Sequence, residues 1–454
     1  MNGISYPTIR VEAGQDALVS SAGARLLVQT AQVSGLAAAL SEGLAGFCSD
    51  RARHDPGKVL LDLAITIAVG GDCLADLGVL RAQPQLFGAV ASDPTVSRLF
   101  DALTATEQAT AAALSAVRAA AASARVGVWE RVDPLDGAGQ VVVDLDATLI
   151  GSHSDKEGAA ATYKRGFGFH PLLGLVDHGG GGTGEPLVGL LRPGNAGSAT
   201  QGDHIAVLDA ALAQLPAHCR SQVLVRADGA GGTKQFLAHV VALGLQYSTG
   251  ITVHAGLQEA LAATPRQAWR KAVDAHGAPR PNAYVAELTT WLPARFRVAW
   301  PAGMRVIARR EKAHPGAQLR IGEDDGWRVT LFVTNSPGRP ADLEYRHRQR
   351  ARAEDRIRDL KATGADNLPL HSMAKNALWL ELCLLACQLL TWTQQLAWRD
   401  HEHARVWSPK TLRFRILAVA GRIIRSGRRH TLRISDKWPW ADLIRQAHHR
   451  LAAL

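Results

Sequence analysis

The stretch VVVDLDAT, Val141–Thr148, decides how this chain is read. An apolar β-branched run from Gln140 to Leu145 predicts a buried strand, and it ends on acidic residues. Working outward, Phe169–Val176 and Leu187–Leu191 read as further strands, separated by a glycine run at Gly179–Gly182. His204–Leu215 has helical texture, Val223–Ala227 is a short apolar strand, Thr233–Leu243 a helix and Gln246–Ile251 a strand. Three strands, a helix, a strand, a helix and a strand predict an α/β layer on one mixed sheet.

The flanks differ in texture. Residues up to about 135 predict a helical domain: Ala24–Gly46, Lys58–Val69, Ala75–Arg81 after Gly70-Gly71, and the Ala-rich Ala102–Ala124. Ser92-Asp93-Pro94-Thr95 is a helix-start signal, and the helix after it carries Arg98 near its N-terminus. Short helices joined by tight turns are compatible with a helix-turn-helix reader, as well as with an ordinary helical domain. Pro134-Leu135-Asp136-Gly137 marks a boundary. The middle layer then spans 136–395, interrupted at about 253–340 by a β-rich insertion. There a helix around Leu257–Ala262 precedes alternating segments at Arg295–Trp300, Arg305–Arg310 and Arg328–Thr334. A long helix is expected over Tyr345–Thr363 and another over Leu378–Leu396, followed by a basic region at 396–454.

Composition narrows the partners. The 454 residues carry a formal charge of +10, which favours a polyanion. Five cysteines at scattered spacing give neither a disulfide framework nor a zinc site, and a reducing cytosol fits. The opening MNGISYPTIRVEAGQD does not read as a signal peptide. The apolar Ala377–Trp392 carries Glu381 and Gln388 and reads as a buried helix, so no membrane partner is expected.

Three carboxylates stand out by position. Asp146 ends the first strand, Asp228 ends the fourth in VLVRADG, and Glu354 lies in RHRQRARAEDRIRDLK. Acidic groups at buried strand ends are costly unless paired or metal-bound. An all-oxygen anionic site suits Mg²⁺ or Mn²⁺, and two such ions can drive phosphoryl transfer. Asp144, two residues before Asp146, shares its strand face and could also reach a metal. Each aspartate could instead cap the turn that follows it. Arg350, Glu354 and Lys361 fall on one helical stripe, a carboxylate between two cations that could hold phosphates. Trp291, Trp300 and Trp327 in the insertion could stack on a flipped base, or pack as ordinary aromatics. The arginines of the tail, Arg413 to Arg433 with Arg428 among them, could track DNA backbone.

The spacing R-x3-E-x6-K resembles the signature of bacterial insertion-sequence transposases of the IS-four and IS-thirteen-eighty groups. Asp146-Ala147-Thr148, Arg226-Ala227-Asp228-Gly229 and Gly168-Phe169-His170-Pro171-Leu172 are similar to other blocks of that family, as are HDPGKVLLDL from His54 and GGDCLADL from Gly70. The resemblance favours Asp146 over Asp144. It implies an RNase H-like catalytic core cut by a β-strand insertion between Asp228 and Glu354, and the separation of 354 − 228 = 126 residues agrees. It implies a DDE transposase in which Asp146, Asp228 and Glu354 are catalytic and ligate Mg²⁺, Mn²⁺ substituting. Arg350, Lys361 and Thr148 would contact DNA at terminal inverted repeats and target, in a homodimer acting in the bacterial cytoplasm. The family's tyrosine three residues before the arginine is replaced by His347. Its phosphate contact would pass to His347 or to Tyr345. A catalytically inactive terminal-repeat binder and another RNase H-like nuclease are the alternative functions.

Overall fold

The apolar run before Asp144 forms the middle of a sheet because nearly every residue in it is covered on both sides. In the computed structural model, which describes residues 17–48, 52–135, 137, 139–180, 183–197, 200–312, 326–427 and 429–454, this strand is β1, Val141–Ala147. β2 (Leu172–Asp177) and β3 (Glu185–Leu190) follow it as an antiparallel meander. β4 (Val223–Ala227) and β5 (Gln246–Gly250) run parallel to β1 on its other side. The order β3-β2-β1-β4-β5 is an RNase H-like sheet. Parallel strands need crossovers, supplied here by Gln201–Gln214 and Lys234–Ala242, two helices that flank β4 in sequence.

The insertion does not form a separate sheet. β6 (Arg270–Val273), β7 (Pro279–Glu287), β8 (Arg305–Lys312) and β9 (Trp327–Thr334) form an antiparallel series, and β9 pairs with β5. One nine-stranded sheet therefore runs from β6 to β3. Arg295–Trp300, expected as a strand, is helical over Ala294–Val298, where Pro293 sets the start and Phe296 alone is buried. Its alternation of polar and apolar residues is too short to separate the two periods. The hairpin of β6 and β7 escaped the reading because Pro279 and Pro281 and exposed charges mask its pattern.

Other boundaries also moved. The helix expected over Ala24–Gly46 is split by Gly35, whose φ of +79° is a left-handed conformation that glycine adopts without strain. Ala102–Ala124 is observed as Glu107–Arg131, capped by Thr106, whose Oγ1 accepts from Ala109 N at 3.0 Å. Phe169 leaves β2 for a small side sheet, opposite Ile150. The helix expected over Tyr345–Thr363 is two: Pro340–Arg348 and Ala351–Leu360, broken at Gln349-Arg350. The N-terminal segment, Asp136, Gly181, Gly182 and Arg428 lie outside the described residues.

One helix holds the layers together. Met373–Trp398 is apolar nearly all round and buried within the protein, with Trp379 and Trp392 fully covered. It packs against Pro56–Val69 and Glu107–Arg131 on one side and β3 on the other. Gln388 on this helix donates to Pro186 O at 2.8 Å, and Arg118 donates to Gly189 O at 2.9 Å, so side chains occupy β3 carbonyls. Cys383 and Cys387 are buried here as free thiols.

Glu185 joins all three layers. Fully buried, it accepts from Trp129 Nε1 at 2.9 Å, Trp392 Nε1 at 2.8 Å and Arg125 Nε at 3.1 Å. Burial opposes its charge, but Arg125 and the bonds from His178 and Trp129 outweigh it and hold its pKa at about 2. Such a depressed value stabilises the native state above the ordinary glutamate range, and that contribution drains away as pH falls toward about 2. Glu185→Ala leaves a buried guanidinium uncompensated. Urea denaturation at pH 7 should show a loss of about 3–5 kcal/mol, shrinking when the comparison is repeated near pH 3.

Candidate active site

Backbone register brings the two aspartates together. In the parallel pairing of β1 with β4, Leu145 lies opposite Ala227. Asp146 and Asp228 are the next residue on each strand, at neighbouring C-terminal ends, where adjacent strands stand about 4.8 Å apart. In open α/β sheets this edge is where sites collect.

The loop that carries Asp228 has no room for side chains. A Cβ on Gly232 would lie 2.3 Å from Gly250 O, and one on Gly250 would lie 2.8 Å from Gly229 N. Asp228 Oδ1 accepts from Ala230 N at 2.9 Å, so the capping role is real for one oxygen. Its other oxygen takes no hydrogen bond among the described residues.

Asp146 is mostly covered and accepts from Arg350 Nη1 at 2.9 Å. Burial lifts its pKa, Arg350 opposes the lift, and Asp228 and Asp144 add to it, leaving it at about 6. Two carboxylates that repel each other while one is desolvated form a donor set that a hard divalent cation fits, since the cation would remove both penalties.

Asp144, which shares the strand face of Asp146, is held in an ion pair of its own. Arg226 grips it with two bonds of 2.7 Å, Nε to Oδ1 and Nη2 to Oδ2. The same Nη2 donates to Asp177 Oδ2 at 2.8 Å, and Arg352 Nη1 reaches that oxygen at 3.0 Å. Arg226 Nη1 also donates to Arg346 O at 3.1 Å. Asp144 is thus spent on a buried ion network that ties β1, β2 and β4 to the helices around Arg346 and Arg352. Sequence reading quoted Arg226 only within a family block and missed its ion-pair role, together with Asp177 and Arg352. A signal for the first existed: an arginine inside the apolar run VLVRA.

The helix Ala351–Leu360 lies over this edge. Ala353, Ile357 and Leu360 bury its inner face. Arg350 precedes it and reaches Asp146, and Lys361 follows it and donates Nζ to Leu149 O at 2.6 Å. Glu354 lies between the two, exposed, and accepts no hydrogen bond or ion pair among the described residues. The three carboxylates do not close into one tight cluster. Among the described residues, the group of ligand atoms lying within 4.8 Å of one another is Asp72, Cys73 and Asp76, and Asp76 already caps its own turn there.

The remaining candidates are dispersed. His347 stacks on Phe332 with ring centroids 4.4 Å apart, and its Nδ1 meets Ser248 Oγ at 2.9 Å. Burial, then the nearby Arg350 and Arg226, push it down to about 3. A neutral, stacked imidazole is a packing group, so the charge on a phosphate must be met elsewhere. Tyr345 lies under the Arg348 guanidinium at 5.4 Å. Thr148 is half-buried and donates its backbone N–H to Pro171 O. Arg98 is exposed, 3.3 Å from Thr95 Oγ1. Trp300 stacks on Phe296 at 5.5 Å, Trp327 meets Tyr284 edge-on at 5.6 Å, and Trp291 packs against the core.

A family model described as "Transposase DDE domain group 1" matches residues 1–454. The chain belongs to the DDE transposase domain family. DDE transposases cut and join DNA, and they generally use divalent metal ions. No curated protein matches the chain. Among solved structures, the cryo-EM structure of a piggyBac transposase synaptic complex with hairpin DNA matches at TM-score 0.42 and 8% identity, covering 88% of this chain and 80% of that one.

Asp146 makes a stability prediction for this DDE-family chain. Its raised pKa means the native state gives up stability as pH rises from about 4 to 6 and does not regain it above. In EDTA at pH 7.5, Asp146→Asn should therefore raise the unfolding free energy by roughly 1–3 kcal/mol and the melting temperature with it, and the gap should close by pH 4. An unchanged or lower melting temperature at pH 7.5 would show that Arg350 already offsets the burial of Asp146.

Proposed function

We propose that this DDE-family chain is a DNA transposase of the IS-four or IS-thirteen-eighty type. It would cut phosphodiesters at the terminal inverted repeats of an insertion sequence and join the freed ends to target DNA. Asp146, Asp228 and Glu354 are the catalytic carboxylates of this reading. The observation that carries it is the pairing of Asp146 and Asp228 at adjacent strand ends, beneath a helix whose Glu354 is bracketed by two cations anchored to that same edge.

Bound there, two Mg²⁺ ions would supply an activated nucleophile and steady the leaving oxygen. The protein's own groups do the rest. Asp146 would hold an ion in place of its bond with Arg350, and that would leave the guanidinium free for a phosphate. Arg350 is then placed to hold a phosphate oxygen through paired donors. Lys361, anchored on Leu149 O, adds a positive charge at the other end of the helix. Glu354 needs no rearrangement, because it has no hydrogen bond or ion pair to give up among the described residues. Asp228 keeps its cap on Ala230 through one oxygen and offers the other. Two element ends must meet for joining, so the active species of this reading is a homodimer on DNA, in the cytoplasm of a bacterium.

The test uses purified protein, Mg²⁺ and a duplex carrying the flanking inverted repeats. Parent protein should cleave at the repeat tips and join the 3′-OH ends to a second DNA. Glu354→Gln should lower cleavage on the order of 10³-fold or more while leaving DNA binding intact. Cleavage that persists unchanged in Glu354→Gln overturns the assignment, and cleavage without joining points to a nuclease.

A further inference from the structure

The C-terminal region folds into a two-stranded ribbon, β10 (Gly421–Ser426) and β11 (Arg429–Ile434). Leu18–Val19 adds a short third strand beside β10. The register sorts the ribbon's side chains onto two faces. Gly421 with Ile434, and Ile423 with Leu432, form an apolar face against the core. On the other face Arg422 lies directly opposite Arg433, and Ser426 opposite Arg429. All three arginines are exposed, and none has a hydrogen bond or ion pair among the described residues.

Like charges placed directly opposite each other in an antiparallel pair are destabilising. Arg226, Arg305 and Arg339 offset their charge with a carboxylate, whereas the facing arginines of the ribbon have no such partner among the described residues. The positive surface continues into a groove of about 1000 Å³ between the ribbon and the helix Ala441–Ala452. Arg25, Arg433, Arg445 and His448 line it together with Asp436 and Asp442, and Asp442 is already bound to Arg445 at 2.8 Å. Arg25 is half-buried there and has no hydrogen-bond or ion-pair partner among the described residues.

We propose that the outer face of this ribbon is a second DNA site, gripping the phosphate backbone of duplex DNA outside the catalytic centre. The choice of DNA as the polyanion rests on the transposase reading above. Arg429 and Arg433 stand about 13 Å apart along β11, so the face spans several phosphates and recognises charge rather than bases. The ribbon is also mechanically coupled to the catalytic helix. Arg413, in the turn leading into β10, donates to Ala362 O at 2.6 Å and to Thr363 Oγ1 at 3.0 Å, just beyond the helix that carries Glu354. DNA held on the ribbon is thereby fixed relative to the carboxylate edge.

The experiment measures binding of the full chain to a fluorescent duplex of arbitrary sequence, by anisotropy, in EDTA and across a salt series. Replacing Arg422, Arg429 and Arg433 together by alanine should make the slope of log affinity against log salt shallower by about 2.7, from roughly 0.9 per phosphate contact. The triple lysine variant should keep the parent slope. An alanine variant that melts like the parent and keeps its slope overturns the proposal. If that variant does not fold, the single reversal Arg429→Glu, at the ribbon's exposed tip, must weaken binding at least several-fold, and unchanged binding is equally fatal. Loss of binding to phosphatidylglycerol vesicles with an unchanged DNA slope would assign the face to lipid and also overturn it. Because no step requires metal or cleavage, a Glu354→Gln variant that cleaves like the parent would overturn the catalytic assignment and leave this binding result standing on its own.

Discussion

Arg226, inside β4, is buried between Asp144 and Asp177, and the geometry of the carboxylate edge follows from that contact. A guanidinium in an apolar strand is tolerable only when its donors are met. Meeting them fixes the relative positions of β1, β2 and β4, and through Arg346 O and Arg352 it draws two helices onto the same spot. The placement of the helix that carries Glu354 is thus not set by Glu354, which has no hydrogen bond or ion pair among the described residues. It is inherited from charges one layer further in.

A second buried charge plays the corresponding role between layers. Glu185 gathers an arginine and two indoles from two different helices onto one strand. The N-terminal helices are therefore not appended to the sheet by a flexible joint. They share its hydrophobic core, with the helix Met373–Trp398 as the common wall. A reader of DNA in that helical layer would be rigidly registered to the catalytic edge.

How much of this was legible in the sequence depends on the range of the interaction involved. β1, β4 and β5 are apolar runs whose burial is local information, and they were read within about two residues. The pairing of Asp146 with Asp228 followed from strand ends, again local. What failed was long-range or mixed. Asp144 and Asp146 are indistinguishable by strand periodicity, and beside the family resemblance only the arrival of Arg226 from 82 residues away separates them physically. The break at Gln349-Arg350 is hidden because all neighbouring residues are good helix formers. It shows only when Arg350 is drawn to Asp146 and Arg352 to Asp177. In the insertion, half-exposed strands rich in arginine and proline carry weak periodicity, so β6 and β7 were missed and a short helix was taken for a strand. Glu354 was located by its spacing, yet its lack of any partner could not be inferred from that spacing.

The joining of β9 to β5 has a consequence for solubility. A sheet that stopped at β5 would offer a row of unpaired backbone groups to any extended chain nearby, the usual route to strand-mediated aggregation. Continuing the sheet through the insertion moves that boundary to β6, four residues long and bearing the exposed Arg270 and Lys271. At the opposite boundary, Gln388 and Arg118 already occupy carbonyls of β3. Both rims are thus poor templates for cross-strand growth, and copies of this protein that gather on DNA must meet through other surfaces.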